Sequence, residues 1–247
     1  MKKILKYLFI LNLLTIFSIL YSDRRYYVWT YQYATMEMGN GEIENYLTFK
    51  MPELDSLKNN VNTELQLELE VGMNDYFDIG IYQVFEQSPG LPFQYKGFKI
   101  RARHRFGEKG KYFVDPLIYL EYKGVPDFHK HVIEGKIVLA KDIGKFNFAL
   151  NPTLEYEIEE EKKFEWEYFA GMSYELSEIL RLGIEFKGSE KGHYFGPVIS
   201  HGNENLWVAL GSAFKIGKIE TGKPEAEIRL LLGIHSLSSK PKKERNL

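Results

Sequence analysis

The stretch Glu64-Leu65-Gln66-Leu67-Glu68-Leu69-Glu70-Val71 alternates polar and apolar residues without a break. A β-strand sends successive side chains to opposite faces, so this segment has one apolar face and one charged face. Segments of this kind recur from Glu42 to His235, separated by turn residues. The expected strands are 41–51, 62–72, 76–87, 95–106, 111–123, 130–141, 145–157, 163–175, 179–188, 192–201, 206–215 and 224–235. A helix-period pattern is absent from them. Many amphipathic strands in series, with no long apolar helix, predict an all-β closed antiparallel transmembrane β-barrel of about twelve strands in up-and-down order.

The connections support the same reading. Pro52 to Val61, Ser88 to Gln94, Gly124 to His129 and Ile216 to Lys223 are the longer links. Met73-Asn74-Asp75, Gly107 to Gly110, Asp142-Ile143-Gly144 and Gly202 to Asn205 read as tight turns. Outer-membrane barrels have short periplasmic turns and longer external loops, so strand 1 runs outward and both chain ends lie in the periplasm. Outward rows include Phe146, Phe148, Leu150 and Leu154 on strand 7 and Leu180, Leu182, Ile184 and Phe186 on strand 9. Pro116 and Pro152 sit within expected strands, and a bulge is expected at each, because proline has no ladder donor.

The ends divide from the barrel. Lys2, Lys3 and Lys6 precede an apolar run from Tyr7 to Tyr21 and then Ser22, the layout of a secretory signal at 1–22. Residues 23–40, with the aromatic run Tyr26-Tyr27-Val28-Trp29, form an N-terminal segment that packs at the periplasmic rim or enters the lumen. The barrel itself is placed at 41–236, and a basic, unstructured tail at 237–247. The outer membrane is the expected location, with its lipids and the barrel-assembly machinery as partners. A soluble secreted β-barrel is the structural rival.

Composition removes several functions. The chain of 247 residues has a net charge of −2 and no cysteine, so there is no electrostatic case for nucleic acid and no thiolate metal site. No cofactor is expected. The inward rows carry Glu64, Glu68 and Glu70 on strand 2, Asp78 on strand 3, and Arg101, Arg103 and Arg105 on strand 4. Asp115 and Glu121 follow on strand 5, and Arg181 and Glu185 on strand 9. These are the expected lumen-lining residues. Opposite signs on adjoining strands either set a field across a pore or pair to fill a closed interior. A passive channel or uptake pore for small solutes is the first reading, and a closed structural or adhesive barrel the second. A lipid-modifying enzyme is the third, and the chain is read as not an enzyme. Ser200 and His201 are adjacent, which sends them to opposite faces of a strand. His129 and His131 share a face near an external loop, a spacing that suits a metal but also ordinary loop residues.

Tyr33 to Thr48, with Glu42-Ile43-Glu44 after a glycine-containing turn, resembles the start of uncharacterised bacterial outer-membrane β-barrels, a porin-like family. Glu68 to Phe77 is similar to their next hairpin, and Tyr119-Leu120-Glu121 to their middle strands. The resemblance implies a barrel of about twelve strands and carries no reaction or solute with it. Such barrels usually finish on an aromatic residue, whereas this chain runs past Ile234 into its basic tail.

Overall fold

The computed structural model describes residues 25–159, 162–203 and 205–238. The expected signal peptide at 1–22 and most of the basic tail lie outside them. Twelve strands are present: β1 (Asn40–Met51), β2 (Asn62–Asn74), β3 (Phe77–Gln87), β4 (Gln94–Arg105), β5 (Asp115–Gly124) and β6 (His131–Ile143). They continue with β7 (Phe146–Ile158), β8 (Lys162–Ser177), β9 (Leu180–Ser189), β10 (Gly192–Gly202), β11 (Leu206–Ile216) and β12 (Ala226–Ser238). Each strand pairs antiparallel with its neighbours in sequence, and the order closes on itself. The closing ladder of β1 and β12 runs from Asn40 opposite Ser238 to Met51 opposite Ala226. With no free edge, the backbone donors and acceptors of the sheet are paired within it, which is what a hydrocarbon environment requires. Among the described residues no helix is long and apolar enough to cross a membrane.

Burial along the strands is inverted relative to a soluble protein. On β7, Phe146, Phe148, Leu150 and Leu154 are exposed, and Asn147, Ala149, Asn151 and Thr153 between them are buried. On β2, Leu67 and Leu69 are exposed whereas Glu64, Gln66, Glu68 and Glu70 are buried. The outside is an apolar band for lipid and the polar rows point into the barrel, as expected of a transmembrane cylinder.

The strand boundaries follow the sequence pattern closely, with one exception. The link between β4 and β5 runs from Phe106 to Val114 and is not tight. The alternation of Lys111 to Val114 resembles a strand start, but Asp115 accepts from the amides of Gly110 (2.8 Å) and Tyr112 (3.3 Å) and folds this stretch into a loop. The two prolines also differ from expectation, because neither makes a bulge. Pro116 keeps regular register with β6, and the β4 ladder begins only at Leu117. At Pro152 the β6–β7 ladder omits the pairs between Lys136–Thr153 and Leu139–Leu150 and resumes in the same register. A missing donor thus costs a local gap and no realignment. Register shifts sit elsewhere, for example at Gly41–Glu42 and Gly72–Asn74.

At the long-loop end, Glu225 joins the β1–β2 and β11–β12 connections. Its carboxylate accepts from the Leu54 amide at 2.9 Å, and its own amide donates to the Met51 carbonyl at 2.8 Å. The Leu54 amide, and then Lys215, hold the Glu225 carboxyl below the usual carboxylate range. A carboxyl depressed in the folded state contributes its stabilisation above its unfolded pKa and loses it as pH falls through the folded one. Hydrogen exchange at the Leu54 amide is therefore expected to accelerate, beyond its intrinsic pH trend, only under acidic conditions below the ordinary carboxylate range.

The lipid band yields a second expectation. Ile137 stands midway along β6 and is exposed on the outer face. Ile137→Arg should destabilise the barrel by about 2–4 kcal/mol, as for a cation at the bilayer midplane, read from reversible denaturant unfolding in lipid. A polar substitution in the Phe106–Val114 loop should have little effect by the same measurement.

Candidate functional site: the lumen

The interior divides into a filled half and an open half. Residues 25–38 precede β1 and turn back into the barrel, where Tyr27, Val28, Trp29, Thr30, Tyr33 and Thr35 are all buried. This segment belongs to no strand, so its backbone groups find side-chain partners on the wall. Glu185 accepts from three consecutive amides, Val28 (2.9 Å), Trp29 (3.0 Å) and Thr30 (2.8 Å). Asn151 accepts from the Tyr31 amide at 2.6 Å and donates to the Tyr31 carbonyl at 3.0 Å. Asp78 accepts from the Met36 amide at 2.8 Å, and Ser200 donates to the Arg25 carbonyl at 2.6 Å. The Tyr27 hydroxyl donates to Asn147 at 2.9 Å. Burial without such partners would cost each polar group on the order of 1–3 kcal/mol.

Beside the segment lies a compact ion cluster. Arg101 meets Glu68 (2.9 Å), Glu70 (2.7 Å) and Asp78 (3.5 Å), and donates to the Tyr82 hydroxyl at 2.9 Å. Arg103 pairs with Asp78 at 2.7 Å and also with Glu70. Tyr46 donates to Glu68 at 2.8 Å and contacts Glu44, and Arg25 of the N-terminal segment stands 3.9 Å from Glu44. Glu44, Glu68 and Glu70 bring carboxylate oxygens within 4.8 Å of one another, with the three arginines supplying the opposite charge. The acidic β2 and β3 and the basic β4 therefore neutralise each other by contact.

Above the segment the lumen opens into a cavity of about 360 Å³. Trp29 and Tyr31 reach it from the N-terminal segment, and Lys191, Lys223 and Pro224 reach it from the long-loop end. Its walls carry both signs in pairs: Lys50–Glu64 (2.6 Å), Lys99–Glu121 (3.5 Å), Lys123–Glu134 (2.7 Å), Lys136–Glu134 (2.9 Å) and Lys187–Glu227 (2.7 Å). Cations also cover the aromatic floor. Lys187 stands 4.6 Å and Arg229 5.3 Å from the Trp29 ring centre, and Lys136 stands 4.9 Å from that of Tyr31, distances at which cation–π attraction acts.

The residues singled out in the sequence are thus distributed over different roles. Glu68, Glu70, Asp78, Arg101 and Arg103 come together in the ion cluster. Glu64 and Glu121 lie on the cavity wall. Arg105 is at the short-turn end, donating to the Asp75 carbonyl at 2.7 Å and to Thr35 at 2.9 Å. Asp115 organises the β4–β5 loop, and Arg181 stacks 4.0 Å from the Tyr26 ring centre and meets Glu175 at 3.3 Å. Glu185 serves the N-terminal segment. Lys123, Glu155, Glu227 and Arg229 line the cavity without having stood out in the sequence, and Trp29 and Tyr31 reach it from the aromatic segment expected at the rim or in the lumen. The available signal was the inward row of each strand, on which Asn147, Asn151, Gly171 and Gly211 also fall. Ser200 is buried inside while its neighbour His201 is exposed. His129 meets Asp127 and His131 meets Tyr122, at 2.5 and 2.6 Å, so the two histidines have separate partners.

Arg101 provides the sharpest energetic test of the cluster, since it is fully buried among three carboxylates. Arg101→Met should cost about 3–5 kcal/mol, the range for stranding buried charges. The double variant Arg101→Met/Glu68→Gln should recover part of that loss in the same unfolding measurement.

Neither the family models nor the curated proteins contain a match to this chain. Solved structures do. A KdgM porin in complex with disordered oligogalacturonate aligns with a TM-score of 0.57 at 9% identity, covering 81% of this chain and 99% of its own. A second structure of the KdgM porin gives 0.56 at 7% identity, covering 78% and 98%. The NanC porin gives 0.54 at 5% identity, covering 78% and 98%. At such identities the likeness is one of fold: this chain is built as the same kind of closed barrel as these porins.

Proposed function

We propose that this protein is an outer-membrane, porin-like barrel that admits small polar solutes through its charged lumen. The observation that carries the reading is the cavity of about 360 Å³ at the long-loop end, which is large enough for a small molecule and is lined by hydrogen-bonding side chains. The long-loop end faces outward in this reading, as in other outer-membrane barrels. The fold likeness to porins supports it, and one of those porins was solved with oligogalacturonate, an acidic sugar chain. Seven lysines and Arg229 line the cavity against six glutamates, so most of the wall charge is paired and a formal excess of two positive charges remains. That lining suits small polar solutes, with a mild preference for anionic over cationic ones. Removal of the signal peptide on export and insertion by the barrel-assembly machinery belong to the same proposal.

The closed structural barrel is the second reading, favoured by the N-terminal segment that fills the lumen below Trp29 and Tyr31. Reconstitution separates the two. Liposomes containing the full chain should swell measurably faster than empty ones in a neutral monosaccharide or a zwitterionic amino acid, with a weak dependence on solute charge. Equal rates with and without protein, for every small solute, would favour the closed barrel.

A further inference from the structure

The N-terminal segment occupies the lumen without being part of its wall. Residues 25–36 make no ladder pairing, and the barrel closes through β1 and β12 beginning at Asn40, after the segment has ended. Every strand would therefore keep its hydrogen-bonded neighbours if the segment left. The bonds that hold it come from side chains such as Glu185, Asn151, Asp78 and Ser200. These are polar groups, and water can satisfy them in the segment's place. Tyr27, Val28, Trp29, Tyr31 and Tyr33 also share an apolar cluster with wall residues such as Leu117, Val138 and Val198, so withdrawal exposes apolar surface as well and the seated state is the favoured one.

The wall is also shaped to receive the segment. A Cβ built on Gly171 would lie 2.5 Å from the Tyr27 ring. One on Gly211 would lie 2.4 Å from a Val28 methyl. One on Gly72 would stand 2.7 Å from the Met36 carbonyl oxygen. These glycines come from β2, β8 and β11, three separated parts of the cylinder. Glycine in a strand interior is ordinarily unfavourable, and one of its uses is to let another part of the chain approach closely. Above this footprint, Trp29 and Tyr31 form the floor of the cavity.

We infer that residues 25–36 are a removable stopper: the lower lumen is a preformed groove for this stretch, and its withdrawal extends the cavity toward the short-turn end. The inference rests on the channel reading for its consequence, but the movement can be measured without solute flux. The chain has no cysteine, so introduced pairs are unambiguous. Val28 and Gly211 face each other closely enough for the double variant Val28→Cys/Gly211→Cys to close a disulfide. Oxidised, it should bring liposome permeability down to that of empty vesicles, and reduction should restore it. The single variant Val28→Cys should react with an aqueous maleimide while the barrel still runs as a folded, heat-modifiable band. Gly171→Leu or Gly211→Leu, which fill the groove, should raise permeability several-fold, and combined with Val28→Cys should raise labelling to a similar extent. Permeability that is the same in the oxidised and reduced states would overturn the stopper and leave the channel standing. A thiol at position 28 that stays unlabelled until the barrel unfolds would overturn it whatever the flux. Absence of flux from every variant, with that thiol labelled, would instead retain the movement and remove the channel.

Discussion

The pairing of β1 with β12 is the interaction on which everything else depends. It joins the first strand to the last, from Asn40–Ser238 to Met51–Ala226. Without it the sheet would present two rows of unpaired amides and carbonyls to lipid, at a cost of several kcal/mol for each unsatisfied group. With it, backbone polarity is contained in the wall, and side chains alone decide what each surface meets. Leucine, isoleucine and phenylalanine then take the outside, and glutamate, arginine and tyrosine the inside.

Closure creates a problem that the interior solves locally. A narrow lumen lined by carboxylates and guanidinium groups cannot hydrate them all, so they must pair. The register does this directly: Glu70 lies opposite Gly80, Gly80 opposite Arg101, and Asp78 opposite Arg103. The glycine between Glu70 and Arg101 leaves the two side chains room to meet above it; a Cβ there would stand 2.3 Å from Glu68 and 3.0 Å from Arg101. The filled half buries its pairs deeply around Arg101 and Arg103, and the open half carries further pairs, such as Lys187–Glu227, that border a cavity.

The cylinder was legible in the sequence because a period of two is a local property. Glu64 to Val71 reveals its two faces without reference to any other strand, and the twelve strands fall within a few residues of their expected limits. The exception, Lys111 to Val114, fails because a single carboxylate, Asp115, captures two amides and competes with strand pairing. The interior was less legible. Which inward charges meet depends on register and on the curl of the sheet, neither of which a single strand displays. The position of residues 25–38 was least legible. Tyr27 finds Asn147 at a separation of 120 residues, and Val28 finds Glu185 at 157, and no local pattern encodes such distances.

Those separations also distribute the seat of the N-terminal segment around the wall. The groups that hold it stand on β7, β9 and β10 and, across the lumen, on β3. Its full set of partners therefore comes together only in the rolled sheet. The ring-bearing side chains Tyr26, Tyr27, Trp29 and Tyr31 owe their complete berth to the curvature of the cylinder and to no single strand.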